Sequence, residues 1–482
     1  MGVRGIRAQA AGIAFLALVA GCAADTSRDV EAFDPRRGSA ELEAPPSVEA
    51  DETTRAHVED AGRRISQGLT LEEAERIALE VNPTITAAAC AVNAAKANIW
   101  QQSLFTNPTF TFGKTEIPTR GFDPNGSGPS PLTSDNGSRS FSAWDLRASS
   151  TPFTLQKDFD VSGKRVARVD NALEGERQTE AQFASAARQL KAQVRTAYAA
   201  ILVAEKGLEL AQEAFDMARK NVEILGMGAL GGKVLEGDST AAESAEDRAR
   251  IDLQQAELNL QNARLAFATL LGCPQATVGP LRGTLPLEKL AEDMDAAATV
   301  KEALQRNADV IAAKRAVLAA QANVRLQKRS TIPDITVQAT YNRYILDDFD
   351  TVGFNLSLPL PVFDQNRAQI AQAVANLHQA EAQDRSTELT VEQSVRSDLA
   401  QIATSRARIK AFENEILPKA RRSVTLTEES YQAGKVLYLN VIAARQNFNQ
   451  QRQDYATELL AYEAAMADLE RLLGRSLEAK AP

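Results

Sequence analysis

This chain is written twice, and the duplication limits what it can fold into more than any other feature it has. Laying Asn82 on Asn307, an offset of 225 positions, aligns two segments without a gap. Ala78-Leu79 meets Ala303-Leu304, Ala91-Val92 meets Ala316-Val317, Ala97-Asn98 meets Ala322-Asn323 and Pro108 meets Pro333. Alanine alone would match by chance, but not together with Asn, Gln102/Gln327, Thr106/Thr331 and Pro. A second offset, of 202 positions, lays Gly232-Lys233-Val234-Leu235 on Gly434-Lys435-Val436-Leu437 and Leu271-Gly272 on Leu473-Gly474. Each half reads as a helix, two strands and then two long helices.

The long helices carry a heptad seam. Apolar or Ala residues recur in steps of four and three through Phe183, Ala187, Leu190, Val194, Ala197, Ile201, Ala204, Leu208, Ala211, Phe215, Ala218, Val222 and Leu225, the pattern of a supercoiled helix. A helix from Lys164 to Leu225 reaches about 90 Å at 1.5 Å per residue. Its return seam is Leu253, Ala256, Leu260, Ala263, Phe267 and Leu270, with Gly226 to Gly232 expected to supply the reversal. In the second half the return seam is Tyr455, Leu459, Tyr462, Met466, Leu469 and Leu473, after a turn near Gly434. The composition, 44% hydrophobic but only 5% aromatic, suits long Ala-lined helices better than a compact mixed core.

A cytosolic coiled coil accounts for these helices but not for the strands. Phe110 and Phe112 alternate with Thr109 and Thr111. Ile335, Val337, Ala339 and Tyr341 alternate with Thr336, Gln338, Thr340 and Asn342, and Val352, Phe354, Leu356, Leu358 and Leu360 alternate with Gly353, Asn355 and Ser357. Strict alternation over about ten positions marks a strand set between lipid and water. A fourth strand, around Leu146 to Phe159, changes apolar parity and is expected to bulge near Pro152. The polar stretch from Thr115 to Ser140 reads as a loop between the first two strands. Four strands cannot close a barrel, and open edges are not tolerated in hydrocarbon because every backbone group must be paired there. Three copies would supply twelve strands, an even number within the known range.

The N-terminus has Arg4 and Arg7, an apolar run from Ile13 to Ala20 and then Val19-Ala20-Gly21-Cys22. This reads as a secretory signal peptide over 1–21, and the final four residues resemble a bacterial lipoprotein box that makes Cys22 the acylated first residue. Ala23 and Ala24 favour the outer membrane. An acyl chain, at roughly 0.8 kcal/mol per buried methylene, anchors without spanning. The expected organisation is a tail over 22–68, a first repeat over 69–272, an equatorial linker over 273–298, a second repeat over 299–474 and a tail over 475–482.

Several chemistries are excluded. Gly226-Met227-Gly228-Ala229-Leu230-Gly231 has G-x-G-x-x-G spacing but no preceding strand, so it is read as the hairpin turn. Gly232-Lys233 lacks the remainder of a phosphate loop. The two histidines, His57 and His378, have no neighbouring ligands at metal-binding spacing, and they do not assemble a Ser-His-Asp triad. Cys90 and Cys273 read as small buried hydrophobes. No charge block suits nucleic acid. No catalytic residue, metal ligand or cofactor is expected.

Taken together, the repeat, the lipobox and the turns resemble the TolC-type outer-membrane factor family over Leu69 to Gly474. Leu69-Thr70-Leu71-Glu72-Glu73-Ala74 with Asn82-Pro83 resembles the family's opening helix. Tyr431-Gln432-Ala433-Gly434-Lys435-Val436 and Leu439-Asn440-Val441-Ile442-Ala443-Ala444 resemble its tip. Phe159 to Arg165 and Leu358 to Arg367 are most similar to the heavy-metal CusC/CzcC-like branch. The resemblance implies a mainly α fold with a membrane β-barrel: a homotrimer whose twelve-stranded barrel continues into an α-helical barrel across the periplasm. It also implies a periplasmic adaptor and an inner-membrane resistance-nodulation-division transporter as partners, with outer-membrane lipid around the barrel. Aspartates ring the tip in the family archetype, but Asn440 and Ala443 stand here, so an acidic gate is not carried over. Glu236, Asp238, Asn440 and Arg445 are candidates to line or lock the tip, or else ordinary solvated helix ends.

The Gly-Lys-Val-Leu turns at Gly232, Lys233, Val234, Leu235 and at Gly434, Lys435, Val436, Leu437 are the expected adaptor-docking sites. Simple restarting of the heptad seam is the competing explanation. The expected function is an outer-membrane efflux duct for small solutes, foremost heavy-metal cations. The alternatives are the same duct serving drug efflux or type I protein secretion, and a lipid-anchored coiled-coil scaffold without a pore.

Overall fold

The computed structural model describes residues 58–113, 150–230, 236–283, 294–344, 349–475 and 477, all within the compact unit Ala50–Pro482. The signal segment, Cys22, His57, the 114–149 loop and the Gly232 to Leu235 turn lie outside the described residues.

Both halves open with a helix pair pinned by a buried asparagine. In the first, α1 (Leu71–Val81) meets α2 (Pro83–Ser103). Thr70 starts α1 with a reciprocal capping box: its hydroxyl accepts from the Glu73 N–H while its own N–H donates to the Glu73 carboxylate, satisfying two amides that the helix end leaves free. Asn82 ends α1 and caps α2, accepting from the Thr84 N–H at 2.8 Å and donating to the Leu270 carbonyl at 2.7 Å.

The second half repeats this arrangement where α5 (Ala296–Arg306) meets α6 (Ala308–Arg329). There Asn307 accepts from the Asp309 N–H at 2.8 Å and donates to the Leu472 carbonyl at 3.2 Å. The two acceptors stand at the 202-residue offset read from the sequence.

From the strands descend the long helices. α3 (Lys164–Leu230) and α4 (Glu236–Leu270) make the first hairpin. In the second, α7 (Arg367–Ala411), a π-helical turn at Phe412–Ile416 and α8 (Leu417–Gln432) run down, and α9 (Tyr438–Leu473) returns. Parts of the predicted seams are buried, and their other described positions, Phe183, Ala197, Ala204 and Phe215 among them, are half-buried. Leu260 and Phe267 of α4 are buried, as are Leu459, Tyr462, Met466, Leu469 and Leu473 of α9.

Several expectations change. Helix α3 runs through Gly226, Met227, Gly228, Ala229 and Leu230, so that glycine pair is helical and does not make the expected reversal. Residues 58–66 are helical and bury Ala61 and Ile65, so this part of the expected tail belongs to the core. It is held by the segment following α4, where the Gly279 N–H donates to the Ile65 carbonyl and the Cys273 thiol to that of Val58. Cys273 is buried as expected, but Cys90 is exposed on this protomer.

Four strands, β1 (Thr109–Phe112), β2 (Ser150–Phe159), β3 (Ile335–Tyr344) and β4 (Phe349–Ser357), form one antiparallel sheet in chain order. The expected bulge at Pro152 is absent: Ser150 to Phe159 pairs with β3 in unbroken register, Pro152 opposite Asn342. Within this span Phe153, Leu155 and Phe159 keep one parity, and the expected change involved Leu146 and Ala148, outside the described residues.

Candidate functional site

In register the strands stack into rows, and the rows alternate in chemistry. Phe112, Phe153, Tyr341 and Val352 form one row, and Phe110, Leu155, Ala339 and Phe354 another. Between them lie Thr111, Thr154, Thr340 and Gly353, and beyond lie Thr109, Gln156, Gln338 and Asn355. One face is therefore apolar and the other carries hydroxyls and amides. The apolar face is bare on the protomer, with Phe354 69% exposed, and β1 and β4 are open edges. A bare apolar face with two unpaired edges is not stable in water as it stands.

At the opposite end of the long helices, Gly434 (φ +69°) closes α8. The Gly434 N–H donates to the Tyr431 carbonyl and the Lys435 N–H to that of Ser430. This paired closure needs a left-handed residue, which glycine adopts without steric cost. Lys435 is exposed, Val436 half-buried and Leu437 56% exposed. Behind the turn, Tyr438 and Val441 bury against Ala242 of α4, with Val222 of α3 beside them. Burial pushes the Tyr438 hydroxyl pKa upward, so it stays neutral and available as a donor.

Of the candidate gate residues, Asn440 is exposed at the start of α9. Arg445 is half-buried and pairs with Glu428 of α8 at 2.6 Å, which clamps the two arms of one hairpin. Glu236 opens α4 and Asp238 lies in its first turn. Gly232, Lys233, Val234 and Leu235 lie outside the described residues.

Two polar clusters bind the halves together, and sequence reading missed both. Arg195 of α3 donates to Glu470 at 2.8 Å and to Glu463 at 3.4 Å, both on α9, and Glu463 is 0% exposed. The signal was there: Glu463 and Glu470 are seven residues apart and so share a helix face. Nearby, burial raises the carboxyl pKa of Glu75 against the opposing pull of Lys191.

In the second cluster, Asp398 of α7 faces Asp468 and Arg471 of α9. Burial first, then the Asp468 charge, push its pKa up to about 7. Arg471 reaches Asp468 at 2.6 Å and Asp309 at 3.7 Å, and Ser185 of α3 donates to Asp309. Among the described residues no three of His, Cys, Asp and Glu come together to hold a metal ion. None of the described helices is long and apolar enough to cross a membrane, which leaves the strands as the described elements with a membrane-facing pattern.

The outer membrane efflux protein family model matches residues 76–273 and 299–475, one segment in each half. The chain belongs to the outer membrane efflux protein family. Among curated proteins, it is 25% identical over 419 residues to the cobalt-zinc-cadmium resistance protein CzcC of Cupriavidus metallidurans, covering 86% of this chain and 92% of that one. Among solved structures, a membrane protein from Pseudomonas aeruginosa superposes with a TM-score of 0.70 at 21% identity, over 84% of this chain and 90% of the other. The CusC channel superposes at 0.63 with 19% identity, over 84% and 92%. The fold is thus that of outer-membrane channels of the TolC type, and the relatives that the chain resembles include metal-resistance proteins, CzcC among them. In this family's terms, the sheet is the membrane part and the helix hairpins are the extension.

Proposed function

We propose that this chain is the outer-membrane subunit of a three-component efflux pump that exports heavy-metal cations, working as a homotrimer. The observation that carries the trimer is the four-stranded sheet with a bare apolar face and two open edges. Pairing β1 of one copy with β4 of the next satisfies every edge group, as hydrocarbon requires, and three copies give twelve strands. The Thr, Gln and Asn rows then line the lumen. The similarity to a cobalt-zinc-cadmium resistance protein over most of both chains supports metal cations as cargo. Such ions pass along the duct without a resident site, and the chain performs no chemistry. An inner-membrane transporter of the resistance-nodulation-division type supplies the energy, and a periplasmic adaptor joins the two.

The adaptor docks at the turns. Lys435, half-buried Val436 and exposed Leu437 offer a cation beside an apolar pair, and the sequence repeats them at Lys233, Val234 and Leu235. Acylation of Cys22 adds an anchor to a protein already held by its barrel.

Deleting the gene should lower the metal tolerance of its host, and the intact gene should restore it. Val234→Asp together with Val436→Asp should leave heat-resistant trimers in the outer-membrane fraction but abolish the rescue. Full rescue by the double variant would move docking away from the turns. A deletion strain with unchanged metal tolerance but impaired drug or protein export would replace the cargo.

A further inference from the structure

Each of the four crossings between strand and helix exposes a large apolar side chain: Phe105, Val161, Ile332 and Phe363. At the first two, cations gather. Lys157 lies on the apolar face of β2, in the same row as Val337 and Leu356. Its Nζ donates to the Thr106 carbonyl and lies 6.0 Å from the centre of the Phe105 ring. The Arg165 guanidinium stacks 4.3 Å from that ring and donates to the Ser103 carbonyl at 3.0 Å. Phe105 itself remains 64% exposed.

Arg168, one turn further along α3, lines a cavity of about 240 Å³ with Phe105, Lys164 and Arg165. Its Nε is shut off from water without a hydrogen-bond partner. The carboxylates of this cavity are already engaged. Asp334 pairs with Lys164 at 2.9 Å, Asp160 accepts the Ser162 and Arg165 backbone N–H groups, and Asp158 accepts the Thr336 hydroxyl. Among the described residues, Lys157, Arg165 and Arg168 have no carboxylate at ion-pair distance.

This placement runs against helix electrostatics. Lys164, Arg165 and Arg168 all fall within the first five residues of α3, the end where the helix dipole disfavours cations. Asp334 answers Lys164, and among the described residues no carboxylate pairs with the other two.

We propose that Lys157, Arg165 and Arg168, grouped around Phe105, bind the phosphate of an anionic phospholipid in the periplasmic leaflet of the outer membrane. The proposal rests on the barrel reading given above. The apolar row of Phe110, Leu155, Ala339 and Phe354 begins directly beyond Lys157 and offers a surface for acyl chains. Basic residues at the rim of an apolar face draw anionic headgroups, a planar guanidinium can take a phosphate through two parallel hydrogen bonds, and membrane barrels carry girdles of aromatic residues at their interfaces.

Native mass spectrometry of trimers extracted from the outer-membrane fraction tests this. Trimers are titrated with dioleoyl phosphatidylglycerol, dioleoyl phosphatidylcholine or inorganic phosphate. The wild type should retain the anionic lipid over the zwitterionic one by roughly tenfold. Arg165→Gln with Arg168→Gln should bring the two near parity, Arg165→Lys with Arg168→Lys should keep most of the preference, and Lys157→Gln should lower it partway. Equal retention of phosphatidylglycerol by wild type and the double Gln variant, both trimeric, would overturn the lipid site while leaving the barrel intact. Inorganic phosphate held as well as the lipid would replace it with a free-anion site. Absence of trimers from the outer-membrane fraction would overturn the barrel reading instead.

Discussion

The two halves of this molecule differ least where the backbone makes special demands and most along the walls between. At the equator, Asn82 and Asn307 make the same bond to a helix-end carbonyl, and Gly272 and Gly474 end α4 and α9 with φ of +77° and +67°. At the entry to the long helices, Gly163 and Asn366 both take left-handed conformations. The walls diverge: α3 descends as one helix of 67 residues, whereas α7 ends at 45 residues in a π turn before α8. A seam needs only apolar residues at a spacing, and many residues satisfy it. A buried cap needs an amide or an absent Cβ, and few do. Divergence in the walls also let one half grow cations that the other half answers with acids.

The hardest way to break this pairing is through Arg195, which lies in one half and is answered from the other. Arg195→Ala leaves Glu463 buried without its guanidinium, and removing one partner of a buried ion pair costs about 3–5 kcal/mol. Chaotrope unfolding of the detergent-solubilised protein should show a loss of that size. Replacing Arg195, Glu463 and Glu470 together with apolar residues of similar volume should recover most of it, which would mark the cluster as specifying which helices meet more than as adding stability.

The equatorial glycines sharpen the comparison, because they look equivalent and are not. A Cβ on Gly272 would sit 3.0 Å from the Val81 carbonyl oxygen and 3.3 Å from the Asn82 Cα, which are backbone. On Gly474 it would meet the end of the Arg188 side chain at 2.5 Å, which can swing away. Both substitutions carry roughly 1–2 kcal/mol for an L-residue in the left-handed region, and Gly272→Ala should cost more than that. A lower melting temperature for Gly272→Ala than for Gly474→Ala is the expected outcome, and the reverse order would show that Arg188 is held more firmly than its exposed contact suggests.

Periodicity made much of this fold legible before any coordinates. The apolar rows of the sheet and much of the seams of α3, α4 and α9 follow from spacing, whereas the internal offset matched Asn82 to Asn307 without showing that both cap helices. What spacing could not convey is which flank of a helix a third helix covers. Arg195 sits beside the seam residue Val194, where a two-helix hairpin would leave it solvated, but α9 closes over it. Asp398 was in plain view by contrast. It occupies a heptad position of α7, between the buried Val395 and Ile402, and that seam was not traced. The adaptor-docking reading of the tip rested on repetition of Lys-Val-Leu, and one of its two turns lies outside the described residues.

Because Asp398 stands in a seam and its carboxyl is strongly shifted, it should give the second half a marked pH dependence. Its pKa is raised from 3.8 unfolded to about 7 folded, so the folded state holds the proton more tightly. The stabilisation is complete below about pH 4 and is lost as pH rises through 7. Asp398→Asn should flatten that contribution and melt higher than the wild type at pH 8, with little difference below about pH 4. A pH-independent difference between the two proteins would mean that Arg471 keeps Asp398 ionised.

The smallest effect is expected from a lesion that ought to be severe. Deleting one residue from a helix rotates everything beyond it by about 100°. In α3, deletion of Gly207 would swing Leu208, Ala211 and Phe215 off the seam, and trimers should not form. The second half already contains an extra residue. Its seam steps through Ile402, Ser405, Ile409, Phe412 and Ile416, and a continued heptad would next bury Lys419 and Ser423, both exposed. The residues that turn inward are Ala420 and Val424, one position later. The π turn at Phe412–Ile416, just before Pro418, absorbs that position, as the Leu417 N–H reaching back to the Phe412 carbonyl records. Deleting Asn414 should let this turn close into ordinary α-helix and leave Ala420 and Val424 in phase with the seam above. Heat-resistant trimers and metal tolerance near wild type are expected from the Asn414 deletion, alongside loss of both from the Gly207 deletion. Equal damage from the two would mean that the wide turn is needed for its shape, with the cleft of Phe412, Ile416 and Arg408 beside it, and not merely for phase.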